Sequence, residues 1–242
     1  MRAITHRIVV ACVVLVGCGP APGTQSHDMS AAQHQAMARG EEQNAAEHAA
    51  QFDPAAKVER TGCGLASRAG EGCWSSVSNP TAAHVAEVER HRKLAAEHRA
   101  ASQALRDAEA VACVGLSESD RDMSPFAHRE DIAGVESVVT GGAGSASASS
   151  PRSIPQTRGA IIVFRATRGM TAQWLQRVVD CHLARNAALG HDAREMPYCP
   201  LMPKDVVAHV TPRESGFAVE VTSNEPATVQ EVVRRAQALV AR

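Results

Sequence analysis

The chain has 242 residues, with 25 basic and 26 acidic side chains, 11 histidines and a formal net charge of −1. Without a basic surplus there are few counterions to release from a phosphate backbone, so no nucleic-acid partner is expected. Aromatic residues are only 3% of the chain and much of the 44% apolar content is alanine, which points to a modest, largely helical core.

Residues 1–17 read as a secretory signal: Arg2 and Arg7 precede an apolar run from Ile8 to Val16. That run is too short to span a bilayer, which needs about 20 residues in a helix. It ends in Leu15-Val16-Gly17-Cys18, which resembles the lipobox of bacterial lipoproteins. The resemblance implies cleavage before Cys18 and acylation of Cys18, palmitate being one such chain. More than one acyl chain gives a stable membrane anchor. It also implies a periplasm-facing envelope protein, and Gly19, where an aspartate would favour the inner membrane, leans toward the outer one. The alternative is conventional secretory cleavage after the "APGT" stretch.

Loss of residues 1–17 leaves 23 basic residues against 26 acidic, and removes Cys12. With Cys18 acylated, Cys63, Cys73, Cys113, Cys181 and Cys199 remain where disulfides persist. Five is odd, so at least one stays free or pairs with another chain. The local spacing of Cys63 and Cys73 suits one disulfide. A second, Cys181–Cys199, would pin residues 188–204 to the helix before them.

The tether is expected over residues 18–29 and a helical region over 30–136. Its first helix runs from about Ser30 to Phe52, stopping at Asp53-Pro54. Residues 61–79 are rich in Gly and Ser and read as a loop. Asn79-Pro80 then supplies an N-cap residue and a first-turn proline for a long helix over about 80–113, with Gly115 as its stop. Residues 137–158, including "TGGAGSASASSP", read as a flexible linker. Beyond it, residues 159–242 form a small domain in which the period changes. "AIIVFRA" (160–166) suits a buried strand, Thr171 opens a helix, "VVAHV" and "FAVEV" make a hairpin, and Asn224 and Pro226 begin a last helix. The class is α+β, and the second domain runs β-α-β-β-α.

With Gly169-Met170-Thr171 at its first turn, that layout resembles the heavy-metal-associated domain, which implies a ferredoxin-like fold. The family places cysteine directly after the threonine and again three residues later. Ala172 and Leu175 stand there, so the resemblance implies the fold without that metal site. The family's last strand also has no counterpart.

The candidate site chemistry lies in the helical region. His84, His91 and His98 recur every seven residues, about 10.5 Å apart along a helix. No two of them can share an ion, whose ligands sit near 2.0–2.1 Å. A second helix is required, and His27, His34, Glu41 and His48 offer the same spacing. Face to face, the two stripes would make mixed His and carboxylate sites for Cu, Zn or Ni. The simpler reading is the polar half of a helix seam, with Glu87 holding His91 one turn away. A softer cluster, Cys181, His182, His191, Met196, Cys199 and Met202, suits copper(I) but competes with the Cys181–Cys199 disulfide.

Catalysis is not expected. Cys181 and His182 point about 100° apart on a helix, and no nucleophile elbow, phosphate loop or paired-carboxylate motif occurs. The expected role is non-catalytic: a lipid-anchored envelope protein that binds a protein partner or is structural, with transition-metal binding or buffering as the alternative.

Overall fold

The computed structural model describes residues 21–66, 70–140, 156–192 and 196–241. The signal, Cys18, Gly19 and the middle of the expected linker, 141–155, lie outside the described residues. The described chain is a mixed α+β structure with five helices and two antiparallel sheets, and none of its helices is long and apolar enough to cross a membrane.

Helix α1 spans Ala31–Gln51 and α2 spans Ala83–Ala112. Ser30 caps α1 with a capping box, its hydroxyl accepting from Gln33 N–H while Gln33 Oε1 accepts from Ser30 N–H. At α2 the expected start moves three residues inward. Asn79 Oδ1 accepts from both the Thr81 N–H and its hydroxyl, so Asn79 and Pro80 form a turn ahead of the helix. The stop is as expected, with Gly115 at φ +77.

Two expectations in this half are corrected. Most of the loop expected over residues 61–79 is strand, β1 (Val58–Ala66) and β2 (Gly70–Ser78), an antiparallel pair in which Cys63 sits directly across from Cys73 and is bonded to it. Cross-strand pairing at a Cα separation of 4.1 Å outweighs the low strand preference of its Gly and Ser. The described part of the tether, 21–29, is not free chain. Glu97 Oε2 accepts from Ala21 N–H and from the Thr24 hydroxyl, holding this segment on α2.

The expected boundary at 137–158 also changes. After the short helix α3 (Glu118–Asp122) and a 3-10 turn, residues 132–140 form β3, which pairs with β4 (Gln156–Arg165). The upstream region thus donates an edge strand to the downstream sheet. Helix α4 (Ala172–Ala188), capped by Thr171, strands β5 (Val206–Arg213) and β6 (Gly216–Ser223), and α5 (Pro226–Val240) follow in the expected order. The strand order is β3-β4-β6-β5.

The main core forms where α4 and α5 cover this sheet. Ala160, Ile162 and Phe164 alternate inward along β4 and meet Leu175, Val179, Val232, Ala236 and Leu239. Helix α4 also joins the helical half. Cys181 bonds Cys113 at the end of α2, and Arg185 pairs with Glu109 at 3.6 Å and Asp122 at 2.9 Å.

That disulfide overturns the expected Cys181–Cys199 pair. Among the described residues Cys199 is the free thiol, fully buried in the sheet core, with the Ser124 hydroxyl 3.3 Å from its sulfur. Burial pushes its pKa up, which keeps the thiol unreactive. The soft copper cluster is dismantled with it. His182 Nε2–H donates to the Asp120 carbonyl and His191 Nδ1–H to the Met202 carbonyl.

Candidate metal centre

Helices α1 and α2 lie antiparallel with their seven-residue stripes face to face, which builds a ladder of polar rungs. His34 meets His98, Glu41 meets His91, and His48 meets His84. The same register sets Ala38 opposite Ala95 and Ala45 opposite Val88 between rungs, and all four are buried. Small residues at these positions let the helices come close enough for short polar contacts. His27 does not join: it precedes the capped start of α1 and sits beside Asp28 at 3.5 Å.

On the first rung, Nδ1 of His34 and Nδ1 of His98 are 3.0 Å apart, with both rings buried. A carbonyl can only accept, so His34 Nε2–H donates to Gln25 O at 3.0 Å. With the His34 proton on Nε2, its Nδ1 accepts from His98 Nδ1–H. Burial and the neighbouring His98 lower the pKa of His34, and burial lowers those of His182 and His191.

A histidine with a depressed folded pKa contributes stability above its unfolded pKa of about 6.5 and loses it as pH falls toward the folded value. Below about pH 6.5 the unfolded imidazoles take protons that the folded ones refuse. The melting temperature is expected to fall from pH 7.5 to pH 5, and less steeply in a His34→Leu/His98→Leu variant. A flat profile for the parent chain would contradict this.

The second rung is asymmetric. His91 Nδ1–H donates to Glu41 Oε2 at 2.5 Å, and the Arg90 guanidinium donates to His91 Nε2 at 2.9 Å. Both partners have fixed roles, which places a proton on His91 Nδ1 and makes Nε2 the acceptor. Glu87 Oε2 lies 3.9 Å from the same Nε2. The hydrogen bonds and charge of Arg90 hold the Glu87 carboxyl below the usual range.

The third rung leans onto the second. His48 and His84 approach with their Nδ1 atoms 3.0 Å apart, and the His48 ring also stacks on His91 with centroids 5.4 Å apart. His48, Glu87 and His91 thus each offer a ligand atom within 4.8 Å of the others. Imidazole and carboxylate in this grouping suit Zn, Ni or Cu(II) rather than a soft monovalent ion.

Of the stripe histidines singled out from the sequence, His34, His48, His84, His91 and His98 lie in the ladder and His27 does not. Those in the ladder divide into an upper hydrogen-bonded pair and a lower cluster of three. Sequence reasoning saw Glu87 only as a support for His91 and missed Arg90 altogether. Glu87-x-x-x-His91 was the available signal, since residues four apart on a helix share a face whether the pair is His–His or Glu–His. In comparisons with family models, curated proteins and solved structures, the chain matches none.

Proposed function

We propose that the protein is a non-catalytic, lipid-anchored envelope protein that binds one divalent transition ion, Zn, Ni or Cu, between α1 and α2. The reading is carried by the convergence of His48, Glu87 and His91 with His91 already oriented. A metal-ligating imidazole usually donates its other N–H to a carboxylate, which fixes the ring and raises its basicity. Glu41 stands in that relation to His91 and leaves Nε2 for the ion. His84 supports the His48 ring through Nδ1. Three protein ligands leave a coordination position for water, which suits reversible binding and buffering more than a closed structural site. The anchor at Cys18 rests on the lipobox resemblance, with a periplasm-facing location at the outer membrane more than the inner.

For the second half we read β3 as taking the place of the missing last strand of a ferredoxin-like β-α-β-β-α-β unit, supplied from upstream. The partner-binding alternative has one observation behind it. The β1–β2 hairpin exposes Trp74 and Val77, at 58% and 62%.

The test is calorimetric titration of the untagged mature chain with Zn2+, Ni2+ and Cu2+. One ion per chain is expected. His48→Ala or His91→Ala should abolish binding, and Glu41→Gln should weaken it about 10- to 100-fold. Binding that survives loss of both His48 and His91 would refute the site.

A further inference from the structure

We infer that Arg90 is a built-in competitor for this site: its guanidinium takes the side of Glu87 and His91 that an ion would use, and loading must displace it. The inference rests on the metal reading above. Arg90 donates from Nε to Glu87 Oε2 at 2.8 Å, and its terminal nitrogen lies 2.7 Å from the same oxygen and 2.9 Å from His91 Nε2. One planar cation thus satisfies two of the three ligand residues at the atoms facing the cluster. A guanidinium cannot give up its proton in a protein, so it always competes as a charge.

Displacement is feasible because Arg90 is surface-held. Its side chain is 54% exposed, against 10% for His91, and an exposed ion pair is worth little in water. The ligands stay in place while the long, flexible arginine swings out. The competitor also sets a selectivity. An ion that gains only from the Glu87 carboxylate, such as Mg2+ or Ca2+, replaces one charged contact with another. One that bonds imidazole strongly gains at His91 and His48 as well. Arg90 keeps the carboxylate paired and the histidine satisfied, so the helix seam stays closed without an ion.

Removing Arg90 should therefore tighten binding, whereas a residue that merely supports the helix would weaken it. The measurement is Zn2+ titration of the full mature chain carrying Arg90→Gln, with Arg92→Gln as the control. Arg92 is exposed two residues along, so its loss removes the same charge without touching the cluster. Arg90→Gln is expected to bind Zn2+ about tenfold more tightly than Arg92→Gln, with Mg2+ competition becoming measurable. Equal affinities in the two variants, or weaker binding in Arg90→Gln, would overturn the competitor while leaving a His91-dependent site standing. Absence of Zn2+ binding in the parent and in both variants would overturn the metal reading itself. Binding in Arg90→Gln alone would support the competitor in its strongest form.

Discussion

A Cys113→Ser/Cys181→Ser variant is expected to lose about 4 kcal/mol of stability under oxidising conditions. The two cysteines are 68 residues apart and 4.7 Å between Cα atoms. Closing a loop of that size removes much of the freedom of the unfolded chain, and the loss grows with loop length. This disulfide also ties the end of α2 to the middle of α4, beside the small apolar contact of Ala31 and Leu105 with Ala188. Its cluster contains Cys113, Leu116, Val178 and Cys181, with Trp174 against it. Urea unfolding of the variant should separate into two steps, the helical pair melting apart from the sheet.

The second disulfide offers the contrast. Cys63–Cys73 closes a loop between residues only ten apart, within a hairpin whose strands pair only with each other. Cys63→Ser/Cys73→Ser should loosen the hairpin locally and leave the main transition unmoved, because local opening is not coupled to the cores elsewhere. Equal loss in both variants would show that the hairpin is part of the cooperative unit.

The elements readable from the sequence are those whose own residues carry the signal. Ser30 at the start of α1, Thr171 before α4 and the apolar run of β4 each declare themselves locally. The seven-residue stripes were enough to say that two helices must meet before the histidines have any chemistry. What stayed hidden depends on partners distant in the chain. Strand β3 alternates only weakly, and its pairing with β4 across residues 141–155 is a tertiary choice. The Gly- and Ser-rich segment of 61–79 reads as a loop until Cys63 and Cys73 are placed across from each other. Cys181 has two cysteines within reach of a sequence argument, and only the docking of α4 on α2 selects Cys113. Arg90 escaped notice because its role comes from reaching back to Glu87 and sideways to His91, which no motif records.

Ala95→Leu should destabilise the fold and abolish metal binding together, without removing a single ligand. Ala95 is fully buried, and the helix register sets it against Ala38, between the His34–His98 and Glu41–His91 rungs. Extra methylenes in a well-packed site typically cost about 1–3 kcal/mol, because side chains or backbone must shift. Here the relief available is separation of the helices, since the alanine seam offers no other slack. Separation lengthens every rung at once: the 3.0 Å imidazole pairs and the 2.5 Å Glu41–His91 contact all span the same gap. His48 comes from α1 while Glu87 and His91 come from α2, so widening the gap removes one ligand of three. Ala96→Leu is the matched control, with the same added volume on the exposed side of α2; it should leave both melting temperature and Zn2+ affinity near those of the parent chain. If Ala95→Leu lowers stability yet binds Zn2+ normally, the ligands do not come from two helices held at this spacing. The alanines between the rungs would then serve packing alone. If both properties fall together, the small residues are as much a part of the site as the histidines, because they set the distance across which the histidines and carboxylates meet.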